Sequence, residues 1–104
     1  MTDDSLKGHI DIITFFYNNN CRNGHASGRY TLTPQNLHSV GRTVVAPRRP
    51  TVFVAAVSPM DSHGNVYLSF DLEATLECVQ AADTVIFEIN PYIPRVFGET
   101  ALPI

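Results

Sequence analysis

Residues 51–65 read TVFVAAVSPMDSHGN, an apolar run that gives way to a polar loop. Val52, Phe53, Val54, Ala55, Ala56 and Val57 form an apolar run with no polar alternation. Such a run predicts a strand buried on both faces, as in the middle of a parallel sheet. It stops abruptly at Ser58, Pro59, Met60, Asp61, Ser62, His63 and Gly64. Open parallel sheets bind ligands just beyond the carboxyl ends of their strands. The loop 58–64 is therefore the first place to look for function.

Downstream, NVYLSF (65–70) alternates, with Val66, Leu68 and Phe70 on one side and Tyr67 and Ser69 on the other. It reads as a short, half-exposed strand or arm. Residues 71–82 are predicted to be a helix, with Asp71 as N-cap and Glu73 facing the positive end of the helix dipole. Leu72, Leu76, Val79 and Ala82 would form its apolar stripe. TVIFEIN (84–90) is a second apolar strand. Strand, loop, helix and strand make a right-handed βαβ unit over 51–90 with two parallel neighbours. Pro91 and Pro94 then end the strand, and Arg95 follows in a loop leaving the same carboxyl edge. The last four residues, ALPI, are apolar, which suggests a chain continuing into a strand or docking on a partner.

Upstream, residues 1–8 are polar and predict a frayed or helical lead-in. IDIITFFY (10–17) is β-branched and aromatic and reads as a strand. Residues 18–29 form a loop with at most one helical turn near 22–26. Residues 30–33 are extended up to Pro34. A helix is expected over 35–40, capped by Thr33 and stopped by Gly41. RTVVAPRRP (42–50) is expected to be an extended connector because of Pro47 and Pro50. Arg42, Arg48 and Arg49 there are either an anion contact or a solvated loop.

The chain has 104 residues, enough for one small domain over 1–104. It is 44% apolar and 16% charged, as in ordinary globular proteins. The net charge of −3 argues against nucleic acid as a partner. No run approaches the roughly 18 apolar residues of a membrane span. The polar, acidic start is not a secretory signal. Cys21 and Cys78 lack metal-ligand spacing and fit free thiols in a reducing cytoplasm, with a disulfide between them left open. The expected location is cytoplasmic.

Two loops, 58–64 and 90–98, converge on one sheet edge. They offer Ser58, Asp61, His63, Asn90 and Arg95, and Gly64 and Gly98 let a backbone approach a ligand closely. A Ser58/His63/Asp61 triad lacks the strained GxSxG elbow and oxyanion donors, and Ser58 also fits a backbone-capping role. A metal site at Asp61 and His63 lacks further ligands at regular spacing from His9, His25 or His38. Glu88, inside TVIFEIN, is expected to be a buried carboxylate, either a perturbed acid or a structural anchor.

The loop SPMDSHGN and the later AADTVIFEINPYIPRVFGET closely resemble the acetyl-CoA hydrolase/transferase family, which includes acetate, butyrate and 4-hydroxybutyrate CoA-transferases. Ser58, Pro59, Asp61, His63 and Gly64 match its SPxDxHG loop. Val85, Ile86, Glu88, Asn90, Pro94, Arg95 and Gly98 match its V-I-x-E-x-N-x-x-x-P-R-x-x-G segment. The likeness is strong over 51–100, and upstream ITFFYNNNCRNGHASGRYTLTP resembles the family's strand, short helix and strand to a proline.

The resemblance implies an α/β fold: a three-layer-like partial parallel sheet with flanking helices, one CoA-transferase (NagB/RpiA-like) half-domain. It implies CoA transfer between acyl-CoA and a carboxylic acid such as acetate or 4-hydroxybutyrate, or acyl-CoA hydrolysis, through a glutamyl-CoA thioester. CoA or acyl-CoA is then a substrate, and no covalently bound cofactor or metal is implied. In the family the catalytic glutamate and glycine-rich CoA loops belong to the later half. Glu73, Glu77, Glu88 and Glu99 do not stand in that context, and no GxGG loop is present. The chain is thus expected to be part of the amino-terminal half, inactive by itself. Ser58, Pro59, Asp61, His63, Gly64, Asn90, Pro94, Arg95 and Gly98 would form one pocket wall, with none of them catalytic. Its partners would be the missing carboxyl-terminal half or further copies of itself, with neither nucleic acid nor membrane involved. The alternative is a non-catalytic, oligomerising interaction module derived from that fold.

Overall fold

The β-branched and aromatic runs at 52–57 and 84–89 form the two longest strands of a computed structural model that describes residues 4–69 and 72–104. Two compact units divide the chain, Met1–Asn36 and Leu37–Ile104.

In the first unit a 3-10 turn, Asp4–Leu6, precedes strand β1, Ile12–Thr14. Helix α1 spans Asn19–His25, and strand β2, Tyr30–Leu32, pairs parallel to β1 with Ile12 opposite Tyr30. β1 is shorter than the strand expected over 10–17. Thr14 Oγ1 donates to the Phe16 carbonyl at 2.8 Å and accepts from the Phe16 amide at 3.2 Å, a local turn that ends the ladder. The asparagine-rich stretch, expected to be mostly loop, is helical because Asn18 caps it: its Oδ1 accepts from the Cys21 amide at 3.0 Å. Tyr17 and His25 meet through a hydroxyl–Nδ1 hydrogen bond and an edge contact between their rings.

The second unit opens with helical turns where a stop and an extended connector were expected. A 3-10 turn, Leu37–Ser39, runs into a π-helical turn, Gly41–Val45, and then into helix α2, Ala46–Arg48. Gly41 is a packing residue and does not stop the helix: a Cβ there would lie 2.6 Å from Glu77 Oε1 and 2.8 Å from Glu77 Cγ. Pro47 is tolerated because it falls in the first turn of α2, where its missing amide has no duty. Arg49, in a left-handed conformation at φ 44°, ends the helix. Arg42, Arg48 and Arg49 all lie exposed along this segment.

Strand β3, Val52–Val57, pairs in parallel with β5, Thr84–Ile89, over six residues, as expected from the βαβ reading. Phe53, Ala55 and Val57 share one face with Val85, Phe87 and Ile89. At its carboxyl end this face meets the core: Phe87 and Leu102 pack against the fully buried Val57, Val66 and Leu68. The opposite face corrects the prediction of burial on both sides. Val52 is 51% exposed, Val54 62% and Ile86 51%. Glu88 lies in the same row as Ala56 and is exposed too, so it is not a buried carboxylate.

Between the two strands lie β4, Asn65–Tyr67, and helix α3, Thr75–Ala81. β4 corrects the alternating half-exposed reading, for Tyr67 and Ser69 are buried beside Val66 and Leu68. It is flanked on both sides: the Ser58 amide bonds to the Tyr67 carbonyl, and β6, Ala101–Pro103, pairs antiparallel with Val66 opposite Leu102. The apolar ALPI segment therefore docks on its own chain. Helix α3 is shorter than expected. Leu72 and Glu73 precede it, and Leu72 and Leu76 are exposed, so the anticipated apolar stripe does not form the core contact. Small residues do so instead, with Ala74 and Thr75 buried. Asp71, the expected N-cap, and Phe70 lie outside the described residues. Among the described residues no helix is long and apolar enough to cross a membrane. Neither Cys21 nor Cys78 is in a disulfide.

Candidate functional site

The carboxyl ends of β3 and β5 release two loops within the second unit, and each is built on its own hydrogen bonds. In the first, Asp61 is the organiser. Its Oδ1 accepts from the His63 amide at 2.8 Å and the Asn65 amide at 2.9 Å. Its Oδ2 accepts from the Tyr67 hydroxyl at 2.8 Å and from Asn65 Nδ2 at 3.3 Å. The Asp61 amide donates to the Asn65 carbonyl, and the Gly64 amide to the Asp61 carbonyl. Closing this turn requires the left-handed conformation of Gly64, φ 81°, which a side chain would strain.

These bonds fix the electrostatics. The Asn65 amide, followed by the Tyr67 hydroxyl, holds the Asp61 carboxyl well below the usual carboxylate range, although its partial burial opposes the shift. The Tyr67 phenol is pushed up, first by its bond to Asp61 and then by burial, with the positive charge of Arg95 acting against both. Asp61 is thus a structural acceptor that is ionised near neutrality and unsuited to taking a proton there.

Ser58 is fully buried, and its hydroxyl is occupied. Oγ donates to the Pro59 carbonyl at 3.1 Å and accepts from the Tyr67 amide at 3.2 Å. The backbone-capping reading of Ser58 therefore describes it, and a nucleophilic one does not. His63 is exposed, with Nδ1 facing Ser62 Oγ at 3.4 Å. Among the described residues no three His, Cys, Asp or Glu side chains gather as a metal would need.

The second loop begins where the Asn90 amide extends the sheet by bonding to the Val57 carbonyl. Asn90 Oδ1 accepts from the Tyr92 amide at 2.9 Å, and the Ile93 amide donates to the Asn90 carbonyl, so Asn90 turns the chain out of the strand. Pro94 and Arg95 follow on the exposed surface, and Gly98 takes φ 117°. Arg95 joins the two loops: its Nη2 donates to the Met60 carbonyl at 3.1 Å. Phe97 adds a second bridge, packing edge-on to Tyr67 with ring centroids 6.4 Å apart.

The structure thus gathers Ser58, Pro59, Asp61, His63 and Gly64 into one closed turn and ties it through Arg95 to the loop of Asn90, Pro94 and Gly98. Tyr67 escaped the sequence reading although it touches Ser58, Asp61 and Phe97. Its only sequence signal was a tyrosine two residues beyond Asn65, on what read as the outer side of a strand.

No family model matches the chain. Over 97 residues, 93% of this chain, it is 31% identical to succinyl-CoA:cyclohexane-1-carboxylate CoA transferase of Geobacter metallireducens. The crystal structure of RipA from Yersinia pestis superposes with a TM-score of 0.76 at 28% identity, covering 88% of this chain. Over nearly its whole length the chain is thus similar to a fragment of a CoA-transferase. Its fold is an α/β half-domain of CoA-transferase type, and a 4-hydroxybutyrate CoA-transferase from Porphyromonas gingivalis shares that fold at a TM-score of 0.66 and 20% identity. The chain spans 22% of the Geobacter relative's length, 23% of RipA and 25% of the Porphyromonas structure.

Proposed function

We propose that the chain supplies one wall of the acyl-CoA site of a CoA-transferase, as a single partial domain over 1–104 from the amino-terminal half of the fold. The observation that carries this reading is the Arg95–Met60 bond, which ties two loops together just beyond the carboxyl ends of paired parallel strands. The matched CoA-transferase relative supports acyl-CoA and a carboxylic acid as the substrates. Acetate or 4-hydroxybutyrate as acceptor, or water in an acyl-CoA hydrolase, belongs to the same proposal.

In this reading Ser58, Pro59, Asp61, Gly64, Asn90, Pro94 and Gly98 shape the wall, while His63 and Arg95 present polar groups at its rim. Arg95 suits an anionic part of the substrate. The nucleophile lies outside these residues: Glu73, Glu77, Glu88 and Glu99 are all exposed, and none is among the groups bonded in the two loops. The chain works in the cytoplasm, assembled with the rest of the fold.

Incubating the purified chain with acyl-CoA and labelled acetate tests this. No CoA exchange is expected from the chain alone. Turnover that survives replacement of the whole loop 58–64 contradicts the proposal.

A further inference from the structure

Ser69 follows β4 by two residues and carries two separate costs. Its backbone is left-handed at φ 62°, a conformation that strains a residue with a side chain. Its side chain is 2% exposed, and among the described residues Oγ meets no hydrogen-bond partner. A buried hydroxyl left unpaired is penalised by its lost hydration. Glycine takes the same backbone turn with neither cost. Strained and unmet groups of this kind collect at ligand sites, where the ligand completes them. The position of Ser69 fits such a site. Two residues earlier, Tyr67 holds the loop 58–64 through Ser58 and Asp61. One residue earlier, the Leu68 amide donates to the Thr100 carbonyl at 3.1 Å, and Thr100 Oγ1 donates to the Val96 carbonyl, closing the return of the loop 90–98. Continuing the β4–β6 register past the Leu68–Thr100 bond places Ser69 beside Glu99. Phe97, Gly98 and Glu99 are all exposed, so the unmet hydroxyl lies next to surface chain where both loops are anchored.

We propose that Ser69 is a further binding residue of this site, and that its hydroxyl donates to a neutral carbonyl oxygen of acyl-CoA. The inference rests on the reading of the two loops as an acyl-CoA wall. A serine hydroxyl donates to carbonyl oxygens, and acyl-CoA carries them at its thioester and at the amides of its pantetheine arm. The burial of Ser69 beside Leu68 selects a neutral group, since an ion taken there would lose its hydration without a counter-charge. The ligand enters by displacing the turn 96–100, whose Phe97, Gly98 and Glu99 are exposed and cost little to move. The free chain thus gives up stability at Ser69 for a hydrogen bond that is made only with ligand.

The test titrates the ¹⁵N-labelled 104-residue chain with acetyl-CoA as wild type, Ser69→Gly and Ser69→Ala. Both variants should bind about fivefold more weakly, the loss of one hydrogen bond. Ser69→Gly should do so while unfolding at higher denaturant than the wild type, so that stability and affinity move in opposite directions. Ser69→Ala keeps a side chain in the left-handed conformation, which separates loss of the hydroxyl from gain of backbone freedom. Unacylated CoA distinguishes the two carbonyl sources. Variants that weaken acetyl-CoA alone assign the bond to the thioester, and variants that weaken both ligands assign it to a pantetheine amide. Wild-type affinity in both variants overturns the proposal. So does weakening in Ser69→Gly with Ser69→Ala at wild-type affinity, because the effect would then belong to the backbone. Loops 58–64 and 90–98 that respond to acetyl-CoA identically in all three proteins sink this inference alone. Wild-type loops that do not respond sink the substrate reading and this inference with it.

Discussion

The Tyr67 hydroxyl donates to Asp61 Oδ2 at 2.8 Å while the Tyr67 backbone exchanges hydrogen bonds with Ser58, so one residue of β4 fastens the start and the middle of the loop that leaves β3. The pair also sets the pH response. Asp61 is depressed in the fold, so its contribution is complete above the unfolded value of about 4 and is lost as pH falls below that toward the folded value. Tyr67 is raised, so its contribution is complete below about 10 and is lost as pH climbs through the folded value. Thermal melts of the wild type and Asp61→Asn should converge as pH drops from 4 to 2. By carbon NMR, the Tyr67 ring should ionise at lower pH in Asp61→Asn. An unchanged Tyr67 titration would mean that the Asp61 bond is absent.

Arg95 ties the loops through a single charged donor on an exposed side chain. Arg95→Met should leave the strands intact and let the loops move independently. Amide exchange at Asp61 and His63 should speed up by several-fold, with β3 and β5 amides unchanged. Arg95→Lys should fall between the two, because a compact ammonium lacks the reach of the planar fork.

The two faces of β3 should answer differently to the same truncation. Val57 is fully buried in the core cluster, so Val57→Ala should cost about 2 kcal/mol. Val54 faces outward, so Val54→Ala should stay within about 0.5 kcal/mol. Denaturant unfolding of the two variants measures both. Equal losses would mean that the outer face is covered within the chain.

Ser69 offers a stabilising change. It is buried in a left-handed conformation at φ 62°, and among the described residues its Oγ is the buried side-chain polar atom without a hydrogen-bond partner. Ser69→Gly removes both the backbone strain and the unmet hydroxyl, and should raise stability by about 1 kcal/mol by denaturant unfolding.

The βαβ core and the two loops were legible because they rest on local chemistry. Apolar runs at 52–57 and 84–89 announce strands, and Pro59, Gly64, Pro91 and Pro94 announce where they end. What misled was information held in the partners of a residue. The run TVFVAAV has no polar face in sequence, yet Val52 and Val54 face outward because burial belongs to whatever packs on them. Gly41 has the look of a helix stop, but its missing side chain serves Glu77, distant in sequence. The 71–82 helix was read from a stripe of Leu72, Leu76, Val79 and Ala82, while the buried contacts are made by Ala74 and Thr75. Tyr67 was placed on an exposed face because alternation assumes one open side, and β4 has neighbours on both.

If the loops 58–64 and 90–98 form a wall against acyl-CoA, the ligand must be felt in both. The most direct measurement is to titrate the ¹⁵N-labelled chain with acetyl-CoA and follow every amide. Perturbations should grow together at Met60, His63, Gly64, Asn90, Arg95 and Gly98, and Arg95→Met should weaken them. Shifts that fall outside both loops, or loop amides that stay still at millimolar ligand, would contradict the account.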